Sequence, residues 1–149
     1  MNRKASLFFV LIRILSGAVF VYSGWGKLMA PVENFMAVIQ GYQFMPVFFI
    51  PIAAHLIPWL ELVFGTFLVA GFLTRASAGL MSALAVTFIV ILIRSIVLRI
   101  PISECGCFGA GISLAPWQAA VLDFILLGSL LATLARKSHA FSLDQKLSQ

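Results

Sequence analysis

The chain has 149 residues, 62% of them hydrophobic and only 10% charged, with a mean hydropathy of +1.08. A soluble domain of this size cannot hide that much apolar surface in its own core, so lipid must be the solvent for most of it. The net charge of +5 does not indicate a nucleic-acid partner, because the basic residues mark the ends of apolar runs instead of forming an aromatic-interleaved patch.

The first apolar segment, about residues 7–29, follows Arg3 and Lys4. It is too long for a cleaved signal segment and lacks a convincing small-residue cleavage site, so it reads as a retained anchor. Next comes "PVENFMAVIQGYQFMP", in which Val32, Phe35, Met36 and Ile39 fall at helical spacing. That pattern predicts a short helix lying in the membrane interface, ended by Gly41, with Pro46 and Pro51 leading into the second span. A loop merely resting on lipid would give a similar pattern. Its place beside the cysteine loop makes this segment a candidate lid or docking surface.

Further spans are expected at about 50–72, 76–98 and 115–135, each near or above the ~20 residues that cross ~30 Å of hydrocarbon. A polar tail occupies 136–149. Gly79 with Ala83, and Gly128 with Ala132, repeat small residues at four-residue spacing, a pattern that lets helices approach closely but is also common in membrane helices generally. The expected fold is all-α: one four-span membrane bundle over residues 1–149, with the short interfacial helix in its first long loop.

Four spans place both termini on one side. That side carries Arg3, Lys4, Arg75, Arg136, Lys137 and Lys146, against Lys27, Arg94 and Arg99 on the other. The positive-inside rule then makes the termini cytoplasmic. In a bacterial inner membrane the loop with Cys105 and Cys107 would face the periplasm, where disulfides form and persist.

Arg13, His55, Glu61, Arg94 and Asp123 fall within apolar spans, and each is costly there unless paired or hydrated. Counting residues from the span ends suggests that Arg13 reaches Glu61, with Arg94 at the level of Asp123 and Lys27 closing the end of the first span. Such charges either fix helix order or serve a site. Pro58 deprives the Ala54 carbonyl of its helical donor, so the backbone near His55 is polar and able to meet a ligand.

"SECGCFGAG" (103–111) holds the two cysteines of the chain. A zinc site needs four ligands, and of the two histidines His139 lies in the opposite tail, so no metal is expected. A disulfide across one glycine closes a tiny loop and strains the bond, which makes it a poor staple and a good exchange reagent. Gly106, Gly109 and Gly111 allow the turn, while Arg99 and the start of the last span favour thiolate and Glu104 opposes it. An inert turn is the alternative. Cys107, nearer the helix start, should be the better leaving group, so a partner thiolate would attack Cys105 and expel Cys107.

"VYSGWGKLMAP", Glu61 before "GTFLVAGFLTR", "CGCFGAG", and Asp123 within "PWQAAVLDFILL" together resemble the DoxX-like membrane proteins, closest to the methylamine-utilisation MauE type. The resemblance implies a bundle related to quinone-linked thiol oxidoreductases and an extracytoplasmic thioredoxin-like partner. It also implies that Arg13, Lys27, Glu61, Cys105, Cys107 and Asp123 are the important positions. Those oxidases use two cysteine pairs and this chain has one, so an electron acceptor must reach Cys105 and Cys107 directly or through a partner. The expected function is thiol–disulfide exchange by Cys105 and Cys107, with a quinone admitted near Lys27, His55, Trp59 and Asp123 and with Arg13, Glu61 and Arg94 as the intramembrane charge network. A non-catalytic scaffold for another protein is the alternative. A small-molecule carrier fits less well, since short loops leave little room for alternating access.

Overall fold

The computed structural model describes residues 3–101, 105–106 and 114–135, with side chains from residue 6 onward. Cys107, Glu104, Gly109, Gly111 and the tail 136–149 therefore lie outside the described residues.

Five α-helices and a 3-10 turn make up the fold: α1 (Arg3–Met29), α2 (Val32–Gly41), the 3-10 turn Val47–Phe49, α3 (Ile50–Ala70), α4 (Thr74–Val97) and α5 (Pro116–Ala135). Four of them are long and apolar enough to cross a membrane, and helices are what lipid demands, since every backbone N–H and C=O must be satisfied within the segment. No more than a third of the most apolar stretch of each span is buried inside the protein. The remainder, including Leu11, Leu15, Leu56, Val90, Phe124 and Ile125, is an outward apolar surface that only lipid can cover. This is an all-α, multi-pass membrane bundle.

The helices associate as two antiparallel pairs, α1 with α3 and α4 with α5, which meet through α3–α4 and α1–α5. A core of Phe20, Leu68, Ala78, Met81, Leu126 and Leu130 draws on all four spans. The turn from α3 to α4 is tight because Gly71 adopts a left-handed conformation (φ 73°), ending α3 in the way a glycine favours. Pro51 sits in the first turn of α3, where its missing N–H leaves no hydrogen bond unmade.

The closest helix approach is not where small-residue spacing placed it. A methyl group on Gly79 or Gly128 would meet nothing within 4 Å, so neither glycine lies at a helix contact. Gly17, Gly24 and Gly65 do. A Cβ on Gly17 would lie 2.8 Å from the Gly65 carbonyl oxygen, and one on Gly24 would lie 2.7 Å from that of Pro58. These contacts fix the antiparallel register of α1 on α3, and with it the level of every charge on the two helices.

Candidate functional site

α1 brings Ser23 and Lys27, one helical turn apart, to the face that meets α3. α3 presents Glu61 on its buried stripe of Ala54, Pro58, Glu61, Gly65 and Leu68. The Lys27 ammonium donates to both carboxylate oxygens of Glu61, each at 2.7 Å, and to the Ser23 hydroxyl at 3.0 Å. Ser23 in turn donates to Glu61 Oε2 at 3.0 Å. Lys27 and Glu61 are only 4% and 1% exposed, so this network is shut off from solvent. Two aromatic rings lie against the same ammonium, Phe35 of α2 at 5.1 Å and Phe88 of α4 at 5.3 Å to the ring centroids. A desolvated cation gains from such faces as well as from its carboxylate.

This corrects the pairing of Arg13 with Glu61. The glycine contacts put Gly24 opposite Pro58 and Leu62, and Gly17 opposite Gly65 and Val69. Arg13, one turn beyond Gly17, is then level with about Val69 or beyond, roughly 12 Å or more along the axis from Glu61 at ~1.5 Å per residue. Arg13 is buried too, but Glu61 belongs to Lys27.

Asp123 of α5 closes the site from the far side. It shares a small cavity of about 20 Å³ with Ser23, Lys27, Glu61 and Phe88, room for one water. Its carboxylate lies within electrostatic range of Lys27, Glu61 and Cys105. Asp123 is buried, and its Oδ2 has no hydrogen-bond partner among the described residues.

Cys105 is 4% exposed and packs with Tyr42, Leu92, Ala119 and Ala120. Ala119 and Ala120 precede Asp123 by one turn on the same face of α5, so the cysteine sits one turn from the buried charges. Its backbone is anchored on two sides: the Cys105 N–H donates to the Leu114 carbonyl at 3.2 Å, and the Tyr42 hydroxyl donates to the Cys105 carbonyl at 2.9 Å. Beside it lies an apolar pocket of about 40 Å³, walled by Phe35, Val38, Tyr42, Phe88, Leu92 and Cys105. Phe35 and Phe88 line this pocket and also cover Lys27, so the apolar pocket and the ion pair share a wall.

Of the residues singled out in the sequence, Lys27, Glu61, Asp123 and Cys105 converge on one end of the bundle. His55 and Trp59 do not join them. Both are exposed on the outward face of α3 and line neither cavity, and His55 Nδ1 sits 2.8 Å from the Pro51 carbonyl oxygen of its own helix. Arg94 is not beside Asp123. It is exposed, and its Nη1 donates to the Tyr42 and Gln43 carbonyls at 3.1 Å each, closing the turn that follows α2. Ser23, Phe35, Tyr42 and Phe88 were not anticipated. Ser23 had a signal, a hydroxyl one turn before a lysine inside "YSGWGK"; the aromatic residues had none, because only the tertiary fold brings them to Lys27 and Cys105. Among the described residues no cluster of His, Cys, Asp and Glu could hold a metal ion.

A four-span helical bundle with a buried Lys–Glu pair beneath a cysteine-bearing loop is therefore the class of protein defined here. Residues 5–136 match the family model of the methylamine utilisation protein MauE, and the chain belongs to that family. No curated protein and no solved structure matches the chain.

Proposed function

We propose that this protein is a membrane thiol–disulfide oxidoreductase, or the membrane subunit of one, working through Cys105 and Cys107. The observation that carries the reading is the position of Cys105, packed one turn above a buried Asp123 and sharing a pocket wall with the Lys27–Glu61 pair. An inert surface turn has no reason to sit over three buried charges, each costly at membrane depth.

A thiolate of an extracytoplasmic, thioredoxin-like partner attacks the Cys105 sulfur, forming a mixed disulfide and releasing Cys107 as thiolate. The partner's second thiolate then attacks its own mixed-disulfide sulfur and releases Cys105. The partner leaves oxidised, and the pair has gained two electrons. The apolar pocket beside Cys105 is a better place for a quinone-type acceptor, which would supply a two-electron oxidant, than the outward-facing His55 and Trp59; at about 40 Å³ it must widen before Phe35, Ile39, Phe44 and Phe88 could hold a ring.

Replacing both cysteines by serine should abolish activity while leaving membrane levels normal. Full activity in that variant would favour the scaffold reading. In Cys107→Ser, Cys105 is a lone thiolate that can only attack the disulfide of the oxidised partner, the reverse of exchange; the mixed disulfide so formed should accumulate because Cys107 is not there to resolve it, and Cys105→Ser should trap far less. Equal trapping by both would remove the assigned order.

The proposed setting is a bacterial inner membrane, with both termini cytoplasmic and the cysteine loop periplasmic, supported by the distribution of Lys and Arg. A membrane-impermeant thiol reagent should then label the reduced pair in intact spheroplasts. Labelling that needs the membrane opened first would reverse the topology.

A further inference from the structure

Thiol exchange with another protein needs an accessible sulfur, yet Cys105 is 4% exposed. Among the described residues, three helical elements cover it. Leu92 of α4 and Ala119 with Ala120 of α5 belong to spans embedded in the bundle. The third cover is of a different kind: α2 has only ten residues, and with the turn after it, it reaches the cysteine through Val38 and Tyr42.

α2 also packs on α3 and α1, but its attachments to the cysteine and to α4 are specific. Tyr42 donates its hydroxyl to the Cys105 carbonyl at 2.9 Å. Arg94 holds the Tyr42 and Gln43 carbonyls at 3.1 Å, across a backbone that is left-handed at Gln43 (φ 49°). Val38 packs so closely on Gly106 that a Cβ there would fall 2.5 Å from Val38 Cγ1, and Gly106 itself has φ +66°. Only glycine combines that conformation with that contact. Phe35, on the same helix, lies over the Lys27 ammonium.

We propose that α2 is a lid over the thiol, latched by Tyr42 and Arg94, and that exchange requires this helix to lift. The proposal rests on reading Cys105 as the exchanging thiol. Lifting α2 removes Tyr42 and Val38 from the cysteine and Phe35 from Lys27, so one motion bares the sulfur and admits water to the ion pair. The apolar pocket lies between lid and bundle, and opening enlarges it from the side where a partner arrives.

The test is the alkylation rate of Cys105 in the full-length protein in lipid nanodiscs, in a Cys107→Ser background where it is the sole cysteine. A small methanethiosulfonate and a bulky maleimide serve as probes. Where opening is fast relative to labelling, the rate follows the open population. Tyr42→Phe removes one hydrogen bond and should raise the rate roughly five-fold; Arg94→Leu removes two charged ones and should raise it roughly ten-fold or more, most clearly for the bulky probe. A separate Ser77→Cys reporter, wholly buried in α4 far from α2, replaces Cys105 in a cysteine-free background carrying the same latch changes and should stay unreactive. Unchanged Cys105 labelling in both latch variants would overturn the lid, as would labelling of the parent as fast as an unhindered thiol. Faster labelling of the Ser77→Cys reporter would assign the effect to general loosening and also overturn it. Loss of the lid would leave the serine test of exchange unaffected, so the two readings fail separately.

Discussion

Lys27→Ala should leave little folded protein in the membrane, and so should Glu61→Ala. Lys27→Ala strands Glu61 beside a second acid, Asp123, and Glu61→Ala leaves Lys27 with only the Asp123 carboxylate in range, each in a site that is almost completely closed and with Ser23 as the remaining hydrogen-bond partner. Breaking a buried pair from one side costs about 3–5 kcal/mol, a large part of the ~5–15 kcal/mol that holds a typical domain together. Removing both charges is a different experiment. Lys27→Met with Glu61→Leu keeps the volume, removes both members of the pair and leaves Asp123 as the cavity's one acid, and it should restore much of the folded protein, because a well-packed apolar substitute often matches a buried pair. Arg13 supplies the contrast. Arg13→Ala combined with Glu61→Leu should show additive effects without rescue, since the two side chains share no contact. The measurement is the monodisperse fraction after detergent extraction, with melting temperature as a second readout. Rescue of Glu61→Ala by a change at Arg13, and none by a change at Lys27, would restore the pairing that residue counting suggested.

That contrast shows which parts of the molecule the sequence carries openly. The four spans were legible because lipid imposes a local rule, about twenty apolar residues in a helix that satisfies its own backbone. α2 was legible from Val32, Phe35, Met36 and Ile39, which repeat at helical spacing. Lateral information was much weaker. In a soluble helix polarity marks the outside, but here both faces of α3 are apolar, so hydropathy does not separate buried Ala54, Pro58 and Gly65 from exposed His55 and Trp59. His55 follows Ala54 by one residue, a rotation of ~100° that carries it off the packed stripe.

Axial level failed for a related reason. Counting from span ends assumes that helices begin at matched depths, whereas the register of α1 on α3 is set by glycine contacts between them. The Arg13–Glu61 assignment came from that counting, which placed Lys27 at the end of α1 and did not pair it with Glu61. The aromatic cover of Lys27 comes from α2 and α4, remote in sequence from the lysine and from each other, and no local pattern announces it. Cys105 and Asp123 were legible as candidate positions, by residue type alone. What could not be read was that Cys105 and Gly106 pack inward beneath α2.

The glycine register makes its own forecast, with opposite signs at two sets of glycines. Gly24→Ala adds one methyl group at a point 2.7 Å from the Pro58 carbonyl oxygen and 2.8 Å from the Leu62 nitrogen. Both neighbours are backbone, so no side chain can swing away, and α1 must back off from α3. Overpacking of this kind costs about 1–3 kcal/mol, and Gly24→Val should cost more. Gly79→Ala and Gly128→Ala place the same methyl where nothing lies within 4 Å. They should be neutral or stabilising by up to ~1 kcal/mol, the usual gain of alanine over glycine inside a helix. Thermal unfolding of the four purified variants reads the difference directly. Gly24→Ala carries a second signature, because Gly24 follows Ser23 and precedes Lys27 by less than one turn. Moving this stretch of α1 outward lengthens the 2.7 Å contacts of Lys27 with Glu61, so the variant should also lose part of the pair's contribution. In a background where Lys27→Met and Glu61→Leu have already removed the pair, the penalty for Gly24→Ala should shrink to the packing cost alone. An undiminished penalty there would mean that the glycine contact and the ion pair are independent, and that the close approach of α1 to α3 serves packing without positioning the charges.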